Sequence, residues 1–363
     1  MDKKLVYLLL LFLLMLLITE ALVRLIMLTQ GMSFFTPHHF MEEKYYPQLL
    51  KIKEKFQSRV SSAPSILILG GSVISTDWSR PESRLDTLIR NRYPEIKTIN
   101  IYNAAHPGHT SLDNAIKYRH LKPFKFDLVI YYEAINEARA NNIRPEQFKS
   151  DYSHIKWYEQ ILRLERHPEM KFTIIPYVLD LVFTEIKSLI IKQQYIPMET
   201  VDPQFMDYGS GVKTAESYEN NLSEICQLAK EKKEQLLLVE YAPYFPAGQN
   251  LTGREEDKQA FANCYGMSPV TTWGRPENVQ KAIDIHNEIL LKVSKKEQIP
   301  YLDMSKKLPK HKVMYCDVCH LSEIGAQVFY KELACYILEK NLLSLVRKPL
   351  DSKAELIESG FFE

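Results

Sequence analysis

The chain is poor in glycine and tryptophan and carries no excess of charge of either sign. Its 363 residues include 12 glycines and 3 tryptophans, and 46 basic residues balance 45 acidic ones. A chain this close to neutrality offers no field that would attract nucleic acid, so we expect no nucleic-acid partner. Hydrophobic residues make up 45% and charged residues 25%, which is ordinary for a globular protein.

Cysteine is also scarce, with five copies in the whole sequence. An odd number leaves at least one thiol without an intrachain partner, and the spacing does not determine the pairing. If the domain is exported, some of these residues can form disulfides. One possibility is a Cys316–Cys319 bond, which would stiffen the turn that they share.

The N-terminus is the exception to this globular composition. After two lysines, an unbroken apolar run covers Leu5 to Ile18 and continues to Leu28, interrupted mainly by Glu20 and Arg24, which can pair on one helix face. No small-residue cleavage site follows. We predict a single uncleaved transmembrane helix with its N-terminus in the cytoplasm and the catalytic domain on the extracytoplasmic side. A cleaved signal peptide and a buried core helix are the alternatives.

Five short apolar runs predict β-strands at 65–70, 97–105, 127–134, 235–242 and 299–304. Helical patterns lie between them, and a last helix begins near Ser322. Alternating strands and helices indicate an α/β domain with a parallel sheet covered on both faces. In such a domain the reactive groups lie at the carboxyl ends of the strands.

These patterns divide the chain into four parts. We predict a transmembrane anchor at 1–28, a stem at 29–61, the α/β domain at 62–346 and a C-terminal tail at 347–363. The stretch at about 140–215 is too long for a simple crossover, so we predict a helical insert there. It fits a cap over the site or an amphipathic helix lying on the membrane better than a second span.

A serine follows the first predicted strand, in the sequence Gly70-Gly71-Ser72. The glycines allow a sharp turn, and the hydroxyl group would project at the carboxyl edge of the sheet. A helix beginning there would supply N–H groups to a developing oxyanion. The alternative is that Ser72 only caps that helix.

Three further motifs fall at the same predicted edge. Gly108 follows the second strand and Asn136 follows the third, where both can donate hydrogen bonds to an oxyanion. Asp317 and His320 precede the last helix at a spacing that lets the carboxylate orient the imidazole, which can then accept the serine proton.

Together these blocks resemble the SGNH (GDSL-type) hydrolase family between about residues 65 and 336. The resemblance implies a flavodoxin-like three-layer αβα sandwich with a five-stranded parallel sheet. It also implies a triad of Ser72, Asp317 and His320 with Gly108 and Asn136 as oxyanion donors, and no metal or cofactor.

The sequence departs from the family pattern at three positions. Gly71 stands where the family often has aspartate, Ala134 where it usually has glycine, and Glu137 where it usually has aspartate. None of these changes removes a catalytic group, but they leave the subfamily and therefore the substrate open.

The resemblance predicts an ester hydrolase that removes acyl or acetyl groups from a cell-surface glycan or lipid through an acyl-Ser72 intermediate. Its partners would be this ester substrate and the membrane. An O-acyltransferase using the same triad is one alternative, and a non-catalytic scaffold for envelope assembly is another.

Two other signals compete with this interpretation. Cys316-Asp-Val-Cys319-His320 matches the C-x-x-C-H pattern of covalent haem attachment, in which His320 would be an axial ligand. Zinc is a weaker possibility, because no second ligand pair has a suitable spacing. His106 and His109 flank the proposed oxyanion glycine and are expected to contact substrate or to be merely exposed.

Overall fold

The sheet organises the part of the chain that the structure describes. A computed structural model describes residues 3–249, 251–252, 255–264 and 266–343, so the tail predicted at 347–363 lies outside it. Within these residues, five parallel strands form one sheet in the order β2-β1-β3-β4-β5. Their bounds are Ser65–Gly70 (β1), Asn100–Asn103 (β2), Leu128–Tyr132 (β3), Gln235–Val239 (β4) and Tyr301–Leu302 (β5). This is the predicted flavodoxin-like arrangement.

Helices connect the strands and precede the sheet. The α-helices of the described residues are Lys3–Leu28 (α1), Phe40–Lys44 (α2), Pro47–Gln57 (α3), Thr76–Ser79 (α4), Pro81–Arg92 (α5), Ser111–His120 (α6), Ile135–Ala140 (α7), Lys156–Glu165 (α8), Ile175–Ile190 (α9), Ala215–Lys232 (α10), Pro276–Glu297 (α11), Met304–Lys307 (α12) and Glu323–Glu339 (α13). Proline at the first turn of α3, α5 and α11 fits the helix start, where its missing N–H group costs nothing.

Both faces of the sheet are buried, which explains why its strands are apolar throughout. Successive side chains point to opposite faces of a strand. Leu67 and Leu69 accordingly lie in one core with α6 and α10. Ile66 and Ile68 lie in a second core with α5 and α13. The three-layer αβα sandwich predicted from the sequence is therefore present.

The two edge strands are shorter than predicted. β2 pairs with β1 over four residues, from Asn100 to Asn103. β5 pairs with β4 only at Tyr301 and Leu302. It ends there because the Asp303 side chain accepts a hydrogen bond from the Lys306 N–H group and caps α12.

The segment predicted as a stem contains α2 and α3, and both helices pack on the α/β domain. Tyr46, Leu49, Ile52 and Phe56 are buried in the same core as Leu67. Residues 40–57 therefore pack against the α/β domain and form part of the core that covers one face of the sheet.

The N-terminal helix α1 is long and apolar enough to cross a membrane, and a signal sequence would share these properties. Its apolar residues are exposed along the stretch from Leu5 to Ile18. Near its end, Arg24 and Glu20 form the ion pair expected from their spacing, with 2.6 Å between Nε and Oε1.

The region at 140–215 contains α8, α9 and a 3-10 helix at Pro203–Ser210. Helix α8 is firmly packed, because Tyr158, Ile161 and Leu164 are buried in the core that covers one sheet face. Helix α9 instead leaves much of its apolar surface exposed.

Candidate active site

Ser72 lies immediately after β1 at the carboxyl edge of the sheet. It opens a 3-10 turn, Ser72–Ile74, rather than the helix N-terminus expected from the sequence, and the next long helix starts only at Pro81. The Ser72 carbonyl accepts hydrogen bonds from the N–H and hydroxyl groups of Ser75. Its own hydroxyl is left to face His320, so capping a helix is not its role.

The two glycines before Ser72 are required by contacts with the strand next to β1. A Cβ atom on Gly70 would lie 2.5 Å from the Tyr132 carbonyl oxygen. A Cβ atom on Gly71 would lie 2.0 Å from Glu133 Oε2 and 2.8 Å from Asn136 Nδ2. The lack of side chains at both positions therefore lets the Ser72 turn approach Glu133 and the start of α7, which carries Asn136.

The side chains of Ser72, His320 and Asp317 form a continuous hydrogen-bonded line. His320 Nε2 lies 2.7 Å from Ser72 Oγ, and His320 Nδ1 lies 2.7 Å from Asp317 Oδ2. All three residues are buried. The arrangement has the geometry of a nucleophile, a general base and an orienting carboxylate.

Asp317 is held by several donors besides the imidazole. Its Oδ1 accepts the N–H groups of Cys319 and His320, and its Oδ2 accepts the N–H group of Ser268 at 2.7 Å. Burial by itself would raise the pKa of this carboxyl group, but the charge of His320 and these hydrogen bonds bring the pKa below its ordinary value. The carboxylate therefore stays ionised and can stabilise an imidazolium.

Of the two predicted oxyanion donors, Asn136 lies close to the turn that carries Ser72, and Gly108 is joined to Asn136 through hydrogen bonds from Arg139. Gly108 has φ of +79°, a backbone conformation that favours glycine. Asn136 lies in the first turn of α7, and its amide nitrogen donates to the His109 carbonyl oxygen at 3.0 Å. An amide nitrogen has two hydrogens, so one remains for a substrate.

Arg139 and Trp273 fix the orientation of the Asn136 amide, and the sequence did not single out either residue. Arg139 donates to Asn136 Oδ1 at 2.7 Å and Trp273 Nε1 donates to the same oxygen at 3.0 Å. Arg139 also donates to the carbonyl groups of Gly108 and Met198. Its guanidinium group thus connects both proposed oxyanion residues to the insert.

The imidazole of His320 lies against two of the three tryptophans of the chain. The ring of Trp78 is 4.3 Å away and that of Trp273 is 6.1 Å away, measured between centroids. Trp78 is further fixed by a hydrogen bond from its Nε1 to the Leu321 carbonyl oxygen. In the sequence, Trp78 and Trp273 stand out only because tryptophan is rare in this chain.

Lys117 is buried against the loop that follows β2. Lys117 donates to the Ala104 carbonyl oxygen at 2.6 Å and lies 3.1 Å from His109 Nδ1. Burial lowers the pKa of Lys117 to about 7. Burial, followed by the charge of Lys117, brings the pKa of His109 well below its ordinary value, so this ring is neutral. His109 is buried and His106 is exposed, so the two histidines differ in environment.

The cysteines do not pair as the sequence suggested. Cys316 is bonded to Cys264, and Cys319 is a buried free thiol. A Cys316–Cys319 bond is therefore wrong; the observed bond instead joins the His320 turn to the loop that carries Ser268. It also uses one of the two thiols that haem attachment needs, while His320 Nε2 faces Ser72.

Asp317, Cys319 and His320 are the described residues whose ligand atoms lie close enough to hold a metal ion together, within 4.8 Å of one another. These atoms already contact each other, since Cys319 Sγ lies 3.4 Å from both Asp317 Oδ1 and His320 Nδ1. Burial and then the charge of Asp317 raise the pKa of the Cys319 thiol well above its ordinary value. A protonated thiol is a poor metal ligand, so this cluster fits a triad better than a metal site.

A groove of about 350 Å³ runs beside the loops that follow β1 and β2. Helix α3 forms its other wall. Its lining mixes apolar surface with side chains that can hydrogen-bond a ligand, among them Gln48, Lys51, Asp77, Asn103 and His106, and it lies next to the turn that carries Ser72 without including Ser72 itself.

No protein-family model and no curated protein sequence matches the chain. Among solved structures, it is similar to a GDSL-like lipase from Bacteroides thetaiotaomicron at 12% identity and a TM-score of 0.43, over 83% of this chain and 100% of that one. A lipase/acylhydrolase from Enterococcus faecalis shares 15% identity at a TM-score of 0.39, over 79% and 99%. A member of the lipolytic G-D-S-L family from Veillonella parvula shares 11% at 0.38, over 76% and 97%. At these values the chemistry has to be inferred from the side chains of this chain.

Proposed function

We propose that this protein is a serine esterase of the SGNH type, with Ser72 as nucleophile, His320 as general base and Asp317 as the orienting carboxylate. The observation that carries the proposal is the line Asp317–His320–Ser72, with 2.7 Å at each hydrogen bond. The resemblance of the sequence blocks to the SGNH family supports the proposal, because these blocks contain all three residues of the line.

The reaction follows from this geometry. Ser72 Oγ attacks the ester carbonyl carbon while His320 Nε2 accepts the hydroxyl proton. The negative charge on the carbonyl oxygen is held by the Asn136 amide and by the N–H groups of Gly108 and Ser72, each contributing about 3 kcal/mol. The ester C–O bond then breaks, and the leaving alcohol takes the proton from His320.

An acyl group is then bound to Ser72 Oγ. Water gives a proton to His320 and attacks the acyl carbon, and the acyl–oxygen bond to Ser72 breaks as Ser72 recovers the proton. The free acid leaves and the enzyme returns to its starting state. If a sugar hydroxyl took the place of water, the same steps would transfer the acyl group instead.

The groove beside the Ser72 turn supports an acyl or acetyl ester on a cell-surface glycan, with a lipid ester as the less favoured substrate, if the glycan part of the ester extends into it. Its lysine, aspartate, asparagine and histidine side chains suit the hydroxyl groups of a sugar better than a long acyl chain. The apolar helix α1 supports a location at the membrane, and the Cys264–Cys316 bond supports an oxidising, extracytoplasmic compartment for the domain.

A fluorophosphonate probe tests this proposal, because it reacts only with activated serines. The full chain in detergent should be labelled, and Ser72→Ala should abolish the labelling and lower kcat for an acetyl ester by about 10⁴-fold or more. Ser83→Ala is the matched control, since Ser83 is an exposed serine on α5. If the folded wild-type protein remains unlabelled, the result contradicts the proposal and favours a non-catalytic scaffold.

Two ester classes separate the candidate substrates. An acetylated oligosaccharide should be a better substrate than a long-chain acyl ester, judged by kcat/KM. Release of free acid indicates a hydrolase, whereas acylation of an added sugar acceptor indicates a transferase. A preference for the long chain would overturn the assignment to glycans.

A further inference from the structure

Helix α9 exposes a continuous apolar stripe. Its members are large aliphatic and aromatic residues with exposed fractions between 48% and 77%: Leu179, Val182, Phe183, Ile186, Leu189 and Ile190. At 3.6 residues per turn they fall within an arc of about 120°. A stripe this wide and regular is unusual on a surface that faces only water.

The opposite face of α9 is held firmly by the domain. Tyr177 is buried in the core that contains Leu67 and Leu69, and Val178 and Leu181 pack against this core. Asp180 pairs with Arg166 on the same side at 3.2 Å. The helix therefore presents its stripe in a fixed orientation.

The start of α9 is bonded to the end of α1. The Glu20 carboxylate accepts hydrogen bonds from the Thr173 hydroxyl and the Ile174 N–H group at 2.8 Å and 3.0 Å. Arg24 donates to the carbonyl oxygens of Phe34 and Phe172 at 2.6 Å and 3.2 Å. These bonds fix the level of α9 relative to the apolar helix.

That level corresponds to the surface of a bilayer. A hydrocarbon core of about 30 Å takes about 20 helical residues at 1.5 Å each. If the hydrocarbon layer begins at Leu5, these 20 residues of α1 reach its other side near Arg24. The polar pair Glu20–Arg24, and with it the first turn of α9, therefore lies where hydrocarbon gives way to lipid headgroups.

The surroundings of the stripe fit this level. Phe35 and Phe172 project beside Arg24 with exposed fractions of 85% and 84%. Lys171, Lys187 and Lys192 are exposed along α9 and its flanks. Apolar residues bordered by lysines are typical of helices that lie in the interface of membranes with anionic lipids.

We propose that α9 is an interfacial helix whose apolar stripe, Leu179 to Ile190, inserts into the outer surface of the bilayer beside α1. This inference rests on the membrane location given above but not on the ester chemistry. The domain would then be attached at two places and could not rotate freely about the anchor.

The insert carries this attachment to the active site. The chain leaves α9 and reaches Met198, whose carbonyl group accepts a hydrogen bond from Arg139. Arg139 in turn binds the Gly108 carbonyl and the Asn136 amide. Docking of α9 therefore sets the position of the site above the membrane through a short series of contacts.

Quenching by brominated lipid tests the docking directly. Full-length chain carrying Phe183→Trp is reconstituted in vesicles of phosphatidylcholine and phosphatidylglycerol, with or without bromine on the acyl chains. The added tryptophan fluorescence, after subtraction of the parent protein, should fall at least twofold in brominated vesicles. Ile324→Trp is the matched control, because Ile324 is a similarly exposed apolar residue on α13, and it should not be quenched.

Leu13→Trp reports separately on the anchor. If Leu13→Trp is quenched and Phe183→Trp is not, α1 spans the membrane and the proposed docking of α9 is wrong. If a second copy of the chain covers the stripe, Phe183→Trp is shielded and the protein dimerises, which Ile186→Asp would abolish; this result also overturns the proposal. The readout needs no substrate, so failure of the esterase assignment would leave it unaffected.

Discussion

The size of the residue at position 71 limits how closely the turn that carries Ser72 can approach the residues that follow β3. The SGNH pattern often has aspartate here, and in this chain the space that its side chain would need is filled by the Glu133 carboxylate. Gly71 itself has φ of −98°, which any residue can adopt. The departure from the family pattern is therefore explained by packing against Glu133 and not by backbone strain.

Gly71→Ala should consequently lower the free energy of unfolding by about 1–3 kcal/mol, because the new methyl group collides with Glu133. Urea unfolding in detergent measures the change. In combination with Glu133→Ala, the loss should be smaller than the sum of the single losses by more than about 0.5 kcal/mol. Gly211→Ala is the control, since a Cβ atom there meets nothing within 4 Å. Strictly additive losses would contradict this account.

Glu133 also makes stability depend on pH. Burial raises its pKa to about 8, so the folded state keeps a proton that the unfolded chain releases near pH 4.5. The folded state binds more protons between these values, and the free energy of unfolding should fall as the pH rises from about 5 to 7. Glu137, whose pKa is raised by burial to about 7, adds to the same slope.

Glu133→Gln should make this slope shallower by up to about 1.4 kcal/mol per pH unit, because the amide cannot ionise. Unfolding measured at pH 5, 6 and 7 gives the slope. Glu277→Gln, a change at an exposed position, should keep the wild-type slope. An unchanged slope in Glu133→Gln would mean that the buried carboxyl group is already ionised.

At the level of elements, the disulfide joins the turn that carries Asp317 and His320 to a loop remote in sequence. Cys264 and Cys316 are 52 residues apart, and Ser268, which donates to Asp317, lies just beyond Cys264. Closing a loop of this length stabilises the folded state by up to about 4 kcal/mol through the entropy of the unfolded chain.

The double variant Cys264→Ser, Cys316→Ser should lose a comparable amount of stability. It should also hydrolyse esters more slowly, because the Ser268 N–H group is no longer held against Asp317. Thermal unfolding and kcat are the measurements. Cys335→Ser, which removes a free thiol, should behave like wild type. Equal stability of the double variant and wild type would show that the bond contributes nothing.

The sequence predicted the strands well where both faces are buried and poorly at the edges. A short apolar run followed by glycines, such as Ser65–Gly70, predicts a buried strand, and the structure has this strand with the predicted bounds. At β2 and β5 the ends depend on a neighbouring strand or on a cap such as Asp303, which hydrophobic pattern does not encode.

The site followed the same rule. Ser72, Gly108, Asn136, Asp317 and His320 could be predicted as site residues because each belongs to a short local motif at a strand end or helix start, and their catalytic role remains a prediction. Arg139 and Trp273 act through contacts with residues distant in sequence, so no local motif marks them. The Cys264–Cys316 pairing was missed for that reason as well.

For the whole molecule, the sequence predicted the order of anchor, α/β domain and insert, but not how they contact one another. The Glu20 and Arg24 bonds to residues 172–174 join segments about 150 positions apart. Such contacts depend on the complete fold, and a single sequence gives no measure of them.

The packing of α3 against the α/β domain limits how far this domain can move away from α1. A free segment of about 30 residues would let a tethered catalyst sweep a wide shell around its anchor. Here Tyr46, Leu49, Ile52 and Phe56 are buried instead, so that freedom is lost. A compact domain of about 280 residues has a radius of gyration of about 19 Å. If the proposed esterase activity and membrane anchor are correct, we expect the active site to stay close to the lipid surface, so that only esters near that surface are hydrolysed.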